Sequence, residues 1–238
     1  MSTLVDFRMD GEIANITLNR PDAGNRLTNA MAADVSRALG ECLAARAIVL
    51  RGAGADFCIG RDMQPPPAGA GFSPADVMRE DAAPMLAMFD AFRRRTQPVV
   101  CVVQGRAWGI GTVFAAMCDV TIASRDASFR LGELERGIPP CIAMSALLDR
   151  MPSKALAWLV YSAESMDAPS ALGHGIISRL VEPAALEAET SAFLARLLAF
   201  EAAPVAAVKA YLEQAPRDNP QHALQLGASM LCNVLASR

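Results

Sequence analysis

Gly105–Asp119, GRAWGIGTVFAAMCD, carries three glycines within seven positions and then a run of small and apolar residues that closes on Cys118-Asp119. No acid, base or nucleophile stands among the glycines. Glycine reaches backbone conformations closed to other residues and lets a neighbouring chain come close, so glycines after a strand can turn backbone N–H groups toward a ligand. A helix that starts there adds the positive end of its dipole. The expected structure is a strand, a tight turn and an apolar helix, and the expected chemistry runs through main-chain donors.

The same arrangement recurs on either side. RGAGADFCIGRDM (51–63) follows AIVL (47–50), QGRAWGIGTVF (104–114) follows VVCVV (99–103), and FRLGELERGIPP (129–140) comes soon after VTIA (120–123). These short, β-branched runs have the character of strands buried on both faces. Before them, EIANITL alternates after the Asp10-Gly11 turn and pairs with LVDFRM as a hairpin. Thr28 is an N-cap candidate, and Met31, Val35, Leu39 and Leu43 recur at helical spacing, which predicts a helix over 29–45. A second helix is expected over 78–95, its RRR end at the terminus where the dipole favours cations. QPPPAGAGFSPA (64–75) predicts a loop between them. Beyond about residue 142 the pattern is helical, interrupted by one strand, IISRLV (176–181). Strand alternating with helix predicts an α/β fold.

Composition narrows the function. The chain has 238 residues, 53% hydrophobic and 20% charged, with a net charge of -3 and no basic stripe, which argues against a nucleic-acid partner. The start, MSTLVDFRMDG, lacks the apolar core of a signal peptide, and no run approaches the roughly 18 apolar residues of a membrane span, so a cytoplasmic location without membrane contact is expected. Cys42, Cys58, Cys101, Cys118, Cys141 and Cys232 stand singly in apolar surroundings and are expected to be buried. His174 and His222 are far apart, and no metal site is expected. There is no G-x-x-x-x-G-K-[ST], no complete dinucleotide fingerprint, no G-x-S-x-G and no S-x-x-K.

Taken together, the glycine segments resemble the crotonase superfamily, the enoyl-CoA hydratase/isomerase family. ITLNRPDAGNRLTNAMAADV is similar to its N-R-P-x-x-x-N-A-L opening, and LRGAGADFCIGRDM to its R-G-x-G-x-x-F-C-A-G-x-D-L block. GRAWGIGTVFAAMCDVTIAS, ASFRLGELERGIPP, DAPSALGHGIISRLVE and PVAAVKAYL are similar to the later blocks, so the likeness spans nearly the whole chain. It implies an α/β, crotonase-like spiral of β-β-α units over residues 1–190 carrying the thioester site. A C-terminal helical region over 191–238 would serve as trimerisation or lid segment. The implied ligand is an acyl-CoA, coenzyme A entering as part of the substrate with no other cofactor, and the implied assembly is a homotrimer or a hexamer.

By position, the resemblance assigns the two oxyanion donors to the backbone N–H groups of Arg61, after Gly60, and Ile110, between Gly109 and Gly111. Ala23 and Gly24 match the loop near the CoA adenine, where Asp22 replaces a frequent lysine. Gly60, Asp62, Met63, Gly109 and Val113 complete the implied binding set. Hydratases of the family hold water between two glutamates; here the first position is Val113 and the second Glu133. Val113 can neither hold nor deprotonate water, which argues against efficient hydration and leaves Glu133 as the one acid; the alternative reading of Glu133 is a solvated surface acid, since GELER also offers Glu135. One carboxylate suffices to remove a proton next to a thioester and return it two carbons further along, so a double-bond shift is the leading expectation. Hydration, carbon–carbon cleavage or decarboxylation with a single acid, and CoA-ester binding without catalysis, are the alternatives. An apolar pocket would raise the pKa of Glu133 toward neutrality. Asp62 is expected to cap a helix or pair nearby. The Arg61 side chain either exits to solvent, the favoured direction, or enters the pocket, and Trp108 and Phe129 are expected in the core.

Overall fold

The computed structural model describes residues 4–63, 73–215 and 219–236. The Asp10-Gly11 turn joins β1 (Val5–Asp10) to β2 (Ile13–Leu18) as the antiparallel hairpin expected. Helix α1 (Asn29–Glu41) follows, with the Thr28 hydroxyl accepting the Met31 N–H, and buries Met31, Val35 and Leu39. It ends earlier than the pattern predicts: residues 42–44 form a tighter 3₁₀ turn, which rotates Leu43 off the apolar face and leaves it 78% exposed. The cap is worth about 1 kcal/mol. Thr28→Ala is expected to lower the unfolding free energy by that amount in urea titration without changing the slope.

Strand β3 (Ala47–Gly52) leads to the first glycine loop. QPPPAGAGFSPA falls outside the described residues except at its end, where Ser73 and Asp76 form a capping box that opens α2 (Pro74–Val77). The helix expected over 78–95 therefore starts sooner, and it is not uniform. Residues 78–82 wind as one π turn, in which the Ala83 N–H reaches back to the Met78 carbonyl, before α3 (Ala83–Arg93). Pro84 supplies a reason, because its ring clashes with the carbonyl four residues earlier and it has no N–H to give that carbonyl.

Then come β4 (Val99–Val103), β5 (Arg106–Trp108), α4 (Ile110–Met117), β6 (Val120–Ser124) and β7 (Ser128–Arg130). Helices α5 (Cys141–Leu147) and α6 (Ser153–Ser162) follow, then a two-residue strand β8 (Met166–Asp167), α7 (Ala168–Gly173) and β9 (Arg179–Val181). The strand expected over 176–181 thus shrinks to its last three residues, with Ile176 and Ile177 packed in the core, and β8 is an addition. Helices α8 (Leu186–Leu198), α9 (Ala202–Gln214) and α10 (Pro220–Ala236) complete the chain. The division drawn at residue 190 lies inside α8.

The main sheet has the order β1-β2-β3-β4-β6-β9 and is parallel from β2 onward; β5, β7 and β8 form a second, smaller sheet. Alternation explains the unbroken apolar runs. Ile48, Leu50, Cys101 and Val103 face the larger core with α1, α3 and α4, while Val49, Val100, Val102 and Ile122 face a second core closed by Leu186 and Leu194 of α8. Asp119, the end of the opening glycine segment, ties this sheet to α9: its carboxylate accepts from the Val99 N–H and from the buried Lys209 ammonium, each at 2.6 Å. Four cysteines are buried as expected, whereas Cys141 and Cys232 are exposed on helix surfaces. Among the described residues no single helix is long and apolar enough to cross a membrane.

Candidate active site

The ends of β5 and β7 and the loop carrying Gly60 and Arg61 converge on a cavity of about 290 Å³ walled in part by Gly60, Arg61, Trp108, Gly109, Arg130 and Glu133. A larger cavity, about 680 Å³, lies between α3, α5 and α9 beside Lys209. The smaller one joins two glycine loops to a carboxylate with a buried oxygen that has no hydrogen-bond partner.

The opening stretch forms one wall. Cys58 and Ala107 make a short parallel bridge, with the Trp108 N–H on the Cys58 carbonyl at 2.8 Å. Gly109 then turns with φ +54° and ψ -117°, its N–H held by the Arg130 carbonyl at 2.7 Å, and α4 starts on Ile110. A side chain at 109 would stand 3.1 Å from Oε1 of Glu133 and 3.3 Å from Cα of Gly60. At Gly111 a Cβ would fall 2.2 Å from the Cys58 carbonyl oxygen, so only glycine lets α4 lie on the neighbouring loop. Thr112, fully buried, fastens the corner: its hydroxyl donates to the Ala107 carbonyl at 2.7 Å and accepts the Arg130 N–H at 3.1 Å.

On the other loop, Leu27 bridges to Arg61 in parallel register. The Leu27 N–H reaches the Gly60 carbonyl and the Asp62 N–H reaches the Leu27 carbonyl, both at 2.9 Å. In that register the Arg61 N–H points away from Leu27. Among the described residues it has no acceptor, and neither has the Ile110 N–H, which as the first residue of a helix lacks an intrahelical partner. Two unsatisfied amides thus belong to two loops whose glycines touch.

Glu133 opens a 3₁₀ turn (Glu133–Arg136) after Gly132. Its Oε2 is buried without a hydrogen-bond partner, and burial raises its pKa above the ordinary carboxylate range, against the lowering influence of its own backbone N–H and the charges of Arg136 and Arg130. Glu135 differs: it is paired with Arg130 and more than half exposed. Because the folded state holds the Glu133 proton more tightly than the unfolded chain does, its favourable contribution is complete below the ordinary value of about 4.3 and is lost as pH rises through the raised one. Glu133→Gln is therefore expected to melt higher than the wild type near neutral pH, with the difference closing as pH falls below the ordinary glutamate range.

Of the residues the sequence singled out, Gly60, Arg61, Gly109 and Glu133 meet at the cavity, and Ile110 borders it through its backbone while its side chain enters the core. Val113 does not line it; its side chain is fully buried beneath α4, one turn past Gly109. Ala23 and Gly24 stand behind the wall, with the Gly24 carbonyl accepting the Ile59 N–H at 3.0 Å. Asp62 caps no helix and pairs with Arg20 at 2.5 Å, and half-buried Met63 lies off the wall. Arg61 takes neither expected path: its side chain is 16% exposed and its guanidinium lies against Asn29 and Asp81. Trp108 is not core but half-buried wall, with the guanidinium carbons of Arg106 and Arg130 at 5.2 and 5.5 Å from its ring centroid; Phe129 is core as expected. The signal for Trp108 and Arg130 was present in the alternation of RAW and SFR, whose central Ala107 and Phe129 are buried opposite each other. No group of three or more His, Cys, Asp or Glu side chains among the described residues is placed to hold a metal ion.

A family model described as enoyl-CoA hydratase/isomerase matches residues 8–238. The chain belongs to the enoyl-CoA hydratase/isomerase family. Among relatives of this family, the (E)-benzylidenesuccinyl-CoA hydratase of Thauera aromatica is 31% identical over 187 residues, which cover 76% of this chain and 71% of that protein. The crystal structure of an enoyl-CoA hydratase from Mycobacterium smegmatis superposes with a TM-score of 0.89 at 29% identity, covering 98% of this chain and 91% of that one. A Thermobifida fusca protein in complex with CoA gives 0.87 at 28% identity, covering 98% and 93%. The fold is that of the crotonases, a mixed α/β core with a C-terminal helical region.

Proposed function

We propose that this family member shifts the double bond of an enoyl-CoA through a thioester enolate, with Glu133 as the proton carrier. The observation that carries the reading is the buried, unpartnered Oε2 of Glu133 in the same cavity as the Gly60–Gly109 contact, whose loops hold the two unsatisfied amides. The thioester oxygen accepts from the Arg61 and Ile110 N–H groups. Glu133 removes a proton from the carbon between the thioester and a 3,4 double bond; the electron pair moves onto the oxygen as a dienolate. The same carboxyl then returns the proton two carbons further on, leaving the 2,3-enoyl product. Each amide strengthens as charge develops on oxygen, worth about 2.7–4 kcal/mol per donor.

The CoA-bound neighbour supports CoA as part of the substrate here. Exposed Val208 and Leu212 on α9 and Leu224, Leu231 and Leu235 on α10 support assembly through the C-terminal helices, as a trimer or hexamer. A single-acid hydration is favoured by one observation, the hydratase names of relatives. The two readings separate when purified protein is given 3-enoyl-CoA and 2-enoyl-CoA in deuterated buffer. Isomerisation of 3-enoyl-CoA is expected, with deuterium that reaches the Glu133 carboxyl appearing at the fourth carbon of the product and, in recovered substrate, at the carbon next to the thioester; hydration of 2-enoyl-CoA outrunning it would replace the isomerase reading, and tight binding without exchange would replace catalysis with CoA-ester binding.

A further inference from the structure

The Arg61 side chain has an anchorage that the proposed reaction does not use. Its Nη2 donates to Oδ1 of Asn29 at 2.8 Å and lies 3.6 Å from Oδ1 of Asp81, while its Nε is buried without a partner. Burying a guanidinium is costly unless charge and hydrogen bonds compensate it. Here they come from two different helices, and both belong to one polar knot.

Asn29 is the first residue of α1, a helix fixed by the Thr28 cap and by its buried face. While its Oδ1 takes the Arg61 bond, its Nδ2 donates to the Glu80 carbonyl at 2.8 Å. That carbonyl is free for a covalent reason: its ordinary helical partner would be the N–H of residue 84, which is proline. The π turn at 78–82 therefore presents the Glu80 carbonyl to Asn29 and the Asp81 carboxylate to Arg61 at adjacent positions of one wide turn. The loop bearing Arg61, the N-terminus of α1 and the helical segment from residue 74 meet at this knot, and π turns of this kind recur at functional sites.

We infer that Asn29 and Asp81 are positioning residues for the Arg61 backbone donor, acting through the Arg61 guanidinium. The inference rests on the reading of that amide as half of an oxyanion hole. The peptide that carries the donor follows Gly60 and is held through its carbonyl, by the Leu27 N–H at 2.9 Å and a long Cys58 Sγ contact at 3.7 Å; the guanidinium adds a hold from the far side of the same residue. Freed from Asn29 and Asp81, the side chain seeks water and takes the peptide plane with it. A donor displaced by a fraction of an ångström still lets the thioester bind, but it no longer strengthens as charge reaches the oxygen.

The test uses Asp81→Asn, Asn29→Ala, Arg61→Met and Arg61→Lys in the full chain, since all four keep the residue 61 N–H. Melting temperature, affinity for a saturated acyl-CoA, kcat and KM for exchange, and the red shift of a bound cinnamoyl-CoA thioester are read together; that shift reports polarisation of the carbonyl by its donors. Affinity and KM are expected to stay within about threefold while kcat falls about 10- to 100-fold and the red shift shrinks in step. Lysine at 61 is expected to recover part of what methionine loses, and the Arg61→Met, Asp81→Asn double variant to lose no more than the worse single one. An unchanged red shift alongside lowered kcat would overturn the inference, as would losses confined to KM or tracking melting temperature alone. A wild type that neither shifts the chromophore nor exchanges the proton overturns the oxyanion-hole reading itself, and this inference with it.

Discussion

Glu133→Gln is expected to slow proton exchange next to the thioester by about 10²–10⁴-fold, the usual contribution of one positioned acid–base group. Glutamine keeps the shape of the side chain and a carbonyl oxygen but cannot carry a proton between carbons, so affinity for a saturated acyl-CoA is expected to remain within a few-fold. The wild-type rate should rise with pH as Glu133 ionises, with its inflection above the ordinary glutamate range, because burial raises that pKa. The charges of Arg136 and Arg130 oppose that rise. In the variant this inflection should vanish. Glu135→Gln supplies the contrast: its carboxylate is exposed and already paired with Arg130, so a loss of less than about tenfold is expected. Deuterium incorporation followed by NMR measures both. Exchange that survives Glu133→Gln at more than about a tenth of the wild-type rate would remove Glu133 from the role of base.

The parallel sheet was legible because its strands are covered on both sides. In VVCVV, Val100 and Val102 serve one core while Val99, Cys101 and Val103 serve the other, so the run is apolar throughout. The hairpin and α1 were legible from local signals, Asp10-Gly11 and the Thr28 cap. Short strands were not: β5, β7 and β8 have two or three residues each, too few for a period of two to stand out, so Trp108 passed as core and Arg130 escaped notice. The π turn had a signal in Pro84, but the apolar spacing around it still suggested one regular helix. Arg61 shows the deeper limit. The role expected of its amide comes from the family pattern, whereas the direction of its side chain depends on Asn29 and Asp81, which only the tertiary fold brings beside it. Glu133 lay between these cases: the family pattern marked it, but its choice over Glu135 rests on burial and on which carboxylate Arg130 engages.

Ile110→Pro should be the cleanest removal of a main-chain donor. Ile110 is the first residue of α4, where proline is favoured because the N–H it lacks has no intrahelical acceptor and its fixed φ suits the helix. Gly109, just before it, has no Cβ to clash with the proline ring, which relaxes the usual restriction on that position. The fold is thus expected to tolerate the change while the amide disappears. Losing one oxyanion donor costs about 10²–10³-fold in kcat, about 2.7–4 kcal/mol, and leaves ground-state binding nearly intact. The Ile110 side chain packs in the main core, so its truncation must be counted separately. Ile110→Val trims that packing while keeping the N–H, and is expected to lower stability by about 0.5–1.5 kcal/mol with activity near wild type. The difference between the two variants isolates the donor. If proline and valine lowered kcat equally, the thioester oxygen would not be bound by the Ile110 N–H, and the glycines of GRAWGIGTVFAAMCD would serve the close packing of α4 on Cys58 and nothing more. If only proline does, the turn at Gly109 exists to leave that one amide unsatisfied until an acyl oxygen arrives.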